Sequence, residues 1–140
     1  MRSLPVRVKL LIRSRFSRKE VIVPALVNTG FTTETPDLAL PLRVAEELGL
    51  WPQPKEALRV SLETGGGSVD TYIVPQAVIV KVITKDRESR EVKANTLINP
   101  YIGEVLMSDA LTEELGIQIL YPRRGLWRFR DEEVIRESES

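Results

Sequence analysis

Hydrophobic and polar residues alternate with period two over most of the chain, and this pattern predicts strands before anything else. From Leu4 to Ile12, Val6, Val8 and Leu10 alternate with Arg7 and Lys9, the signature of a half-buried strand. A basic connection, Arg13 to Lys19, leads into Val21-Ile22-Val23 and Ala25-Leu26-Val27, which read as buried strand with Pro24 at an edge or bulge position. The run stops at Asn28-Thr29-Gly30, where Gly30 allows a turn that other residues avoid. Residues 58–63 and 69–74 alternate again around Thr64-Gly65-Gly66-Gly67-Ser68, a glycine-rich hairpin tip. Residues 77–83 and 92–98 predict a further strand pair about the charged turn Lys85 to Arg90. Residues 105–107, 117–121 and 126–129 complete the strands, the last two forming a hairpin about Pro122-Arg123-Arg124-Gly125.

Helical periodicity occurs twice. Pro41 opens a helix to Leu48 in which Leu42, Ala45 and Leu48 share a face, and Gly49 is placed to end it. Ser108 or Asp109 caps a second helix that runs to Leu115 and stops at Gly116. Residues 31–40 read as a loop, with Thr35-Pro36-Asp37 as a helix- or turn-start signal, and Trp51-Pro52-Gln53-Pro54 reads as a rigid exposed turn. Many short strands, few helices and frequent turns predict a mostly β, barrel-like domain. Its span is residues 1–130. Residues 131–140, with five acids against one Arg, form an acidic tail expected to be flexible.

Composition narrows the chemistry more than the fold. The 140 residues carry no net charge, so no global field draws the chain to nucleic acid or to an anionic membrane. Seven basic residues precede Glu20, but almost no aromatic residues are interleaved with them, which favours a solvated strand face over a nucleic-acid patch. No run approaches the roughly 20 apolar residues of a membrane span, and no apolar signal follows Met1, so the expected location is cytoplasmic. Cysteine and histidine are absent. Disulfides, thiolate or histidine metal sites and Ser-His catalysis are thereby excluded; any catalysis falls to carboxylates, Lys, Tyr, hydroxyls or backbone groups. No metal and no cofactor is expected.

With those routes closed, Ala25-Leu26-Val27-Asn28-Thr29-Gly30 takes on weight. A polar residue presented at the end of a buried strand can hold a reacting or recognising group. The stretch resembles the hydrophobic-hydrophobic-Asp-Thr-Gly signature of retropepsin-like aspartic proteases, with Asn28 at the position of the catalytic Asp. Further elements carry the resemblance in the same order: Ala45-Glu46-Glu47-Leu48-Gly49-Leu50 after the turn, Gly65, Gly66 and Gly67 at the place of the flap, and Val105 to Leu111 followed by Glu114-Leu115-Gly116-Ile117 behind the site. The resemblance implies a closed acid-protease β-barrel with one or two short helices. It also implies a homodimer in which two Asn28 residues face each other, Thr29 bonds across the dimer beneath the site, Gly30 keeps the backbone close, and an extended peptide lies under the two flaps.

The departures from that pattern bear on activity. Beyond Asn28, Phe31 stands where a small residue is usual and Met107 where Gly is usual. An aspartic dyad needs two carboxylates sharing a proton, one acting as base and the other as acid. A carboxamide has no titratable proton near neutral pH. The expectation is therefore a catalytically impaired fold that still binds peptide. Two other readings stand beside it: an active endopeptidase inactivated by an Asp-to-Asn change at position 28, and a non-enzymatic β-domain assembly module. Rescue by Glu34, Asp37, Asp109, Glu63 or Asp70 would need a carboxylate within about 3 Å of the attacking water.

Overall fold

A computed structural model describes residues 5–27 and 30–139. About half the chain is strand, 49%, and 9% is helix. Strand β1 (Arg7–Ser14) pairs antiparallel with β2 (Glu20–Val27), and β2 pairs parallel with β7 (Val105–Met107). Strand β7 meets β3 (Asp37–Leu40), which runs parallel to β6 (Val92–Ile98). The long β5 (Gly67–Val82) then joins β6 to β1, and this last pairing closes a six-stranded barrel. Strand β4 (Leu58–Thr64), among the described residues, pairs with β5 alone, outside the closed ring. A second sheet of three strands follows: β8 (Ile117–Tyr121), β9 (Leu126–Phe129) and β10 (Arg136–Glu137).

The alternation of β1 translates directly into burial. Val8, Leu10 and Ile12 are fully buried, while Lys9 faces out and Arg7 and Arg13 are half-exposed. On β2, Pro24 lies opposite Lys9, and β7 begins to pair only at Ala25, so the missing N–H of Pro24 breaks no β2–β7 ladder bond. Strands read as 69–74 and 77–83 are one strand, bent by a bulge between Val74 and Val78. Pro75 and Gln76 are exposed there, and Gln76 takes a left-handed φ of 48°. The bulge redirects β5 so that its first half builds the hairpin with β4 and its second half closes the barrel against β1.

Helix α1 (Leu42–Glu47) follows Pro41, and α2 (Asp109–Glu114) follows Ser108. Gly49, at φ 72°, ends α1 in a Schellman arrangement: its N–H bonds to the Glu46 carbonyl and the Leu50 N–H to the Ala45 carbonyl. Ser108 is the cap of α2, its hydroxyl accepting from the Leu111 N–H; Asp109 is the first helical residue. Val44, Ala45 and Leu48 on or beside α1, and Leu111 and Leu115 on or beside α2, complete the core around the barrel.

Three expectations are corrected. Residues 37–40 are strand, not loop: Leu38, Ala39 and Leu40 are buried together, a continuous apolar run without the alternation that marks a half-exposed strand. Trp51 is half-buried, packed against Tyr72 with ring centroids 5.3 Å apart, so its turn is anchored rather than exposed at that end. The acidic segment expected to be flexible is fastened: β10 pairs with β9, the Ser138 hydroxyl donates to the Pro5 carbonyl and accepts from the Arg7 N–H, and the Glu139 N–H donates to the Arg7 carbonyl. Arg136, with only 10% of its side chain exposed, is the main anchor of this strap and holds both Asp86 and Glu132.

Candidate functional site

Asn28 and Thr29 lie outside the described residues; the residues on either side of the motif are placed. Val27 ends β2 in parallel register with Met107, and Met107 lies opposite Leu38. Met107 is fully buried, a core side chain at the position that the resemblance gives to Gly. Gly30 is exposed in a turn. Phe31 follows it, half-buried, with its carbonyl accepting from the Asp109 N–H at 2.9 Å.

The segment from Phe31 to Asp37 is tied to the start of α2 by four hydrogen bonds. Besides the Phe31 carbonyl, the Thr33 N–H donates to the Asp109 carboxylate at 3.0 Å. The Asp37 N–H donates to the Ser108 hydroxyl at 3.0 Å, and the Asp37 carbonyl accepts from the Ser108 N–H at 3.1 Å. Ser108 and Asp109 thus serve two purposes: they start the helix and fix the loop that follows the motif.

This loop forms one wall of a groove of about 380 Å³. Phe31, with Leu62 of β4, Ile73 of β5 and Leu97 of β6, supplies its apolar lining. The polar side carries Asp37, Thr35 and Asn95. Their hydrogen bonds form one network: the Asn95 amide donates to Asp37 Oδ1 at 2.9 Å and to the Thr35 hydroxyl at 3.2 Å, and that hydroxyl donates to Asp37 Oδ1 at 2.9 Å. The Asn95 carbonyl oxygen accepts from the Gln76 N–H at 2.8 Å, so one amide joins the groove to the bulge that bends β5.

Of the predicted ligand-binding glycines, Gly65 and Gly66 form the turn of the β4–β5 hairpin, and Gly67, at φ 122°, pairs with Thr64. A methyl group placed on any of the three would meet nothing within 4 Å. The β5–β6 pairing begins only at Tyr72, so the tip is two-stranded and projects past the sheet.

The candidate carboxylates scatter. Glu34 is exposed and lines a different depression with Arg90, Glu113 and Arg130. Asp70 pairs with Arg59 at 2.9 Å across the hairpin, and Glu63 is exposed on β4. Asp109 is committed to the loop and to the start of its helix. Asp37 alone among them lines the groove under the hairpin. The sequence reading took Asp37 as a turn signal and as one of several candidate carboxylates, and passed over Asn95; the one clue was a single amide in a strand, 92–98, whose only charge is Lys93. No cluster of three potential metal ligands occurs among the described residues, and no helix among them is long and apolar enough to cross a membrane. Neither a protein-family model nor a curated protein matches this sequence.

Proposed function

We propose that the chain is a retropepsin-like half-site that assembles as a homodimer, binds an extended peptide beneath the paired β4–β5 hairpins, and does not cleave it as written. The observation that carries this reading is the groove itself: the residue after the Asn28-Thr29-Gly30 motif and residues of the glycine-tipped hairpin line it together. Open ladder groups at the edge of β4 offer a peptide backbone its hydrogen bonds, while the walls take alternate side chains. One motif per chain provides half of a two-fold site, and the second half comes from a second copy. Two facing carboxamides can hydrogen-bond a peptide but cannot take a proton from water, and general acid–base catalysis contributes about 10²–10⁴-fold per group.

Light scattering at micromolar concentration, peptide-array binding and a cleavage assay test the reading together. The chain as written is expected to be dimeric, to bind peptides and to leave them intact at every pH. Asn28→Asp is expected to introduce cleavage with an acidic or bell-shaped pH profile that reports the pair's macroscopic pKa values. A monomeric mass, or cleavage by the chain as written that Asn28→Ala abolishes, overturns it.

A further inference from the structure

We infer that the groove beside Phe31 is a side-chain pocket selective for lysine or arginine of the bound peptide, with Asp37 as its anion. The inference rests on the peptide-binding reading and adds the chemistry of one subsite. Its volume, about 380 Å³, lies within the range of sites that enclose a ligand group. Phe31, Leu62, Ile73 and Leu97 give it an apolar lining that suits a long aliphatic stem. Among the described residues that line it, Asp37 is the one ionisable group and none is a cation.

The hydrogen bonds decide what the polar end can accept. Asn95 is fully committed: both amide protons go to Asp37 Oδ1 and Thr35, and its oxygen takes the Gln76 N–H. The Thr35 hydroxyl also donates to Oδ1. Among the described residues, Asp37 Oδ2 receives no hydrogen bond. The network therefore orients the carboxylate and leaves a ligand an acceptor rather than a donor. A leucine would desolvate that oxygen without pairing it, and a glutamate would oppose a like charge. A glutamine could donate to the carboxylate, but it brings no opposite charge and so lacks the Coulombic attraction of a lysine or arginine. A lysine or arginine lays its stem on the apolar wall and brings its donors to Oδ2.

The test uses the full chain as written and peptides that differ only at one position, carrying Lys, Arg, Leu, Gln or Glu, read by fluorescence anisotropy. Lys or Arg peptides are expected to bind about tenfold tighter than Leu peptides, with a preference that falls as salt rises. Asp37→Asn keeps an acceptor for Thr35 and Asn95 and is expected to remove that preference, bringing the Lys and Arg peptides to within about twofold of the Leu peptide measured on the same variant. Leu62→Lys places a tethered cation at the same wall and serves as the second variant: it is expected to weaken basic peptides selectively. Peptides that bind without preference for a basic residue overturn this inference and leave the peptide-binding reading intact. A basic preference that survives both substitutions also overturns it. Binding of no peptide at all overturns the reading and the inference together.

Discussion

The β4–β5 hairpin and the strap of residues 131–139 both extend beyond the barrel, and among the described residues the second is the one held by a shielded guanidinium. The hairpin has backbone pairing between its two strands, hydroxyl bonds from Ser61 to Asp70 and from Thr71 to the Val60 carbonyl, and a cross-strand ion pair, Arg59–Asp70, with side chains 67% and 45% exposed. The strap has only two residues of strand, yet Arg136 donates to Glu132 at 2.7 Å and to both oxygens of Asp86, at 2.7 and 3.0 Å. The Arg136 guanidinium lies 5.4 Å from the Phe129 ring centroid, and Arg87 lies 4.2 Å from it on an adjoining contact. Arg87 also reaches Asp131 at 2.9 Å. Ladder hydrogen bonds alone leave a segment in contact with water, where each contributes little net stability; a shielded guanidinium with two carboxylates and an aromatic face anchors a segment to the core.

The largest expected effect follows from removing that anchor. Arg136→Ala leaves Glu132, 11% exposed, without its main partner and should lower unfolding free energy by about 2–4 kcal/mol. Arg59→Ala in the hairpin should cost no more than about 1 kcal/mol, as for other exposed pairs. Urea unfolding of both variants checks this; equal losses would erase the contrast.

Next in size is a pH effect centred on the strap and its contact with Asp86. Hydrogen bonding from Arg136 holds the Asp86 carboxyl down to about 2, against the opposing pull of burial, with the Thr84 hydroxyl assisting. Arg136 likewise lowers Glu132, and Arg87 lowers Asp131. Each folded pKa lies below its unfolded value of about 4, so the stabilisation is fully present above pH ~4–5 and is lost as pH falls toward 2. The melting temperature should drop through that window, and Arg136→Ala should flatten the drop. An unchanged acid limb in the variant would place the pH dependence outside the strap.

The smallest effects belong to the hairpin tip. Gly66→Ala meets open space and should change stability by about 0.5 kcal/mol at most, whereas Gly67→Ala must hold a strained φ of 122° and should cost about 1 kcal/mol. In hydrogen exchange, the amides of Gly65 and Gly66 should exchange far faster than those of β10. Protection of the tip in the free protein would contradict a hairpin that opens to admit peptide.

Legibility along the chain follows the same division. Strands β1, β2, β6, β8 and β9 and both helix ends at Gly49 and Gly116 were readable, because alternation and a left-handed terminator are local properties. Strand β3 was hidden because burial on both faces removes the alternation, and its partner β6 lies far along the chain: Asp37 and Asn95 are 58 residues apart. The groove network was hidden for the same reason. Asp37 beside Pro36 has the local look of a turn, and only its pairing with Asn95 turns it into a wall of the groove.

The sequence by itself determined the strand-rich character of the domain, the positions of its two helices, and the limits on its chemistry: no thiol, no imidazole and an amide at position 28. Those features follow from backbone periodicity and side-chain type, which need no distant partner. The tertiary structure decided the closure of the barrel through β1 and β5, the bend at Gln76 that separates hairpin from barrel, the anchoring of residues 131–139, and the meeting of Phe31, Asp37, Leu62 and Asn95 around one groove. These features depend on partners distant in the chain, such as Asp86 for Arg136, 50 positions away, and Asn95 for Asp37, 58 away, and such pairings are selected by burial and hydrogen-bond satisfaction across the whole domain rather than by local propensity.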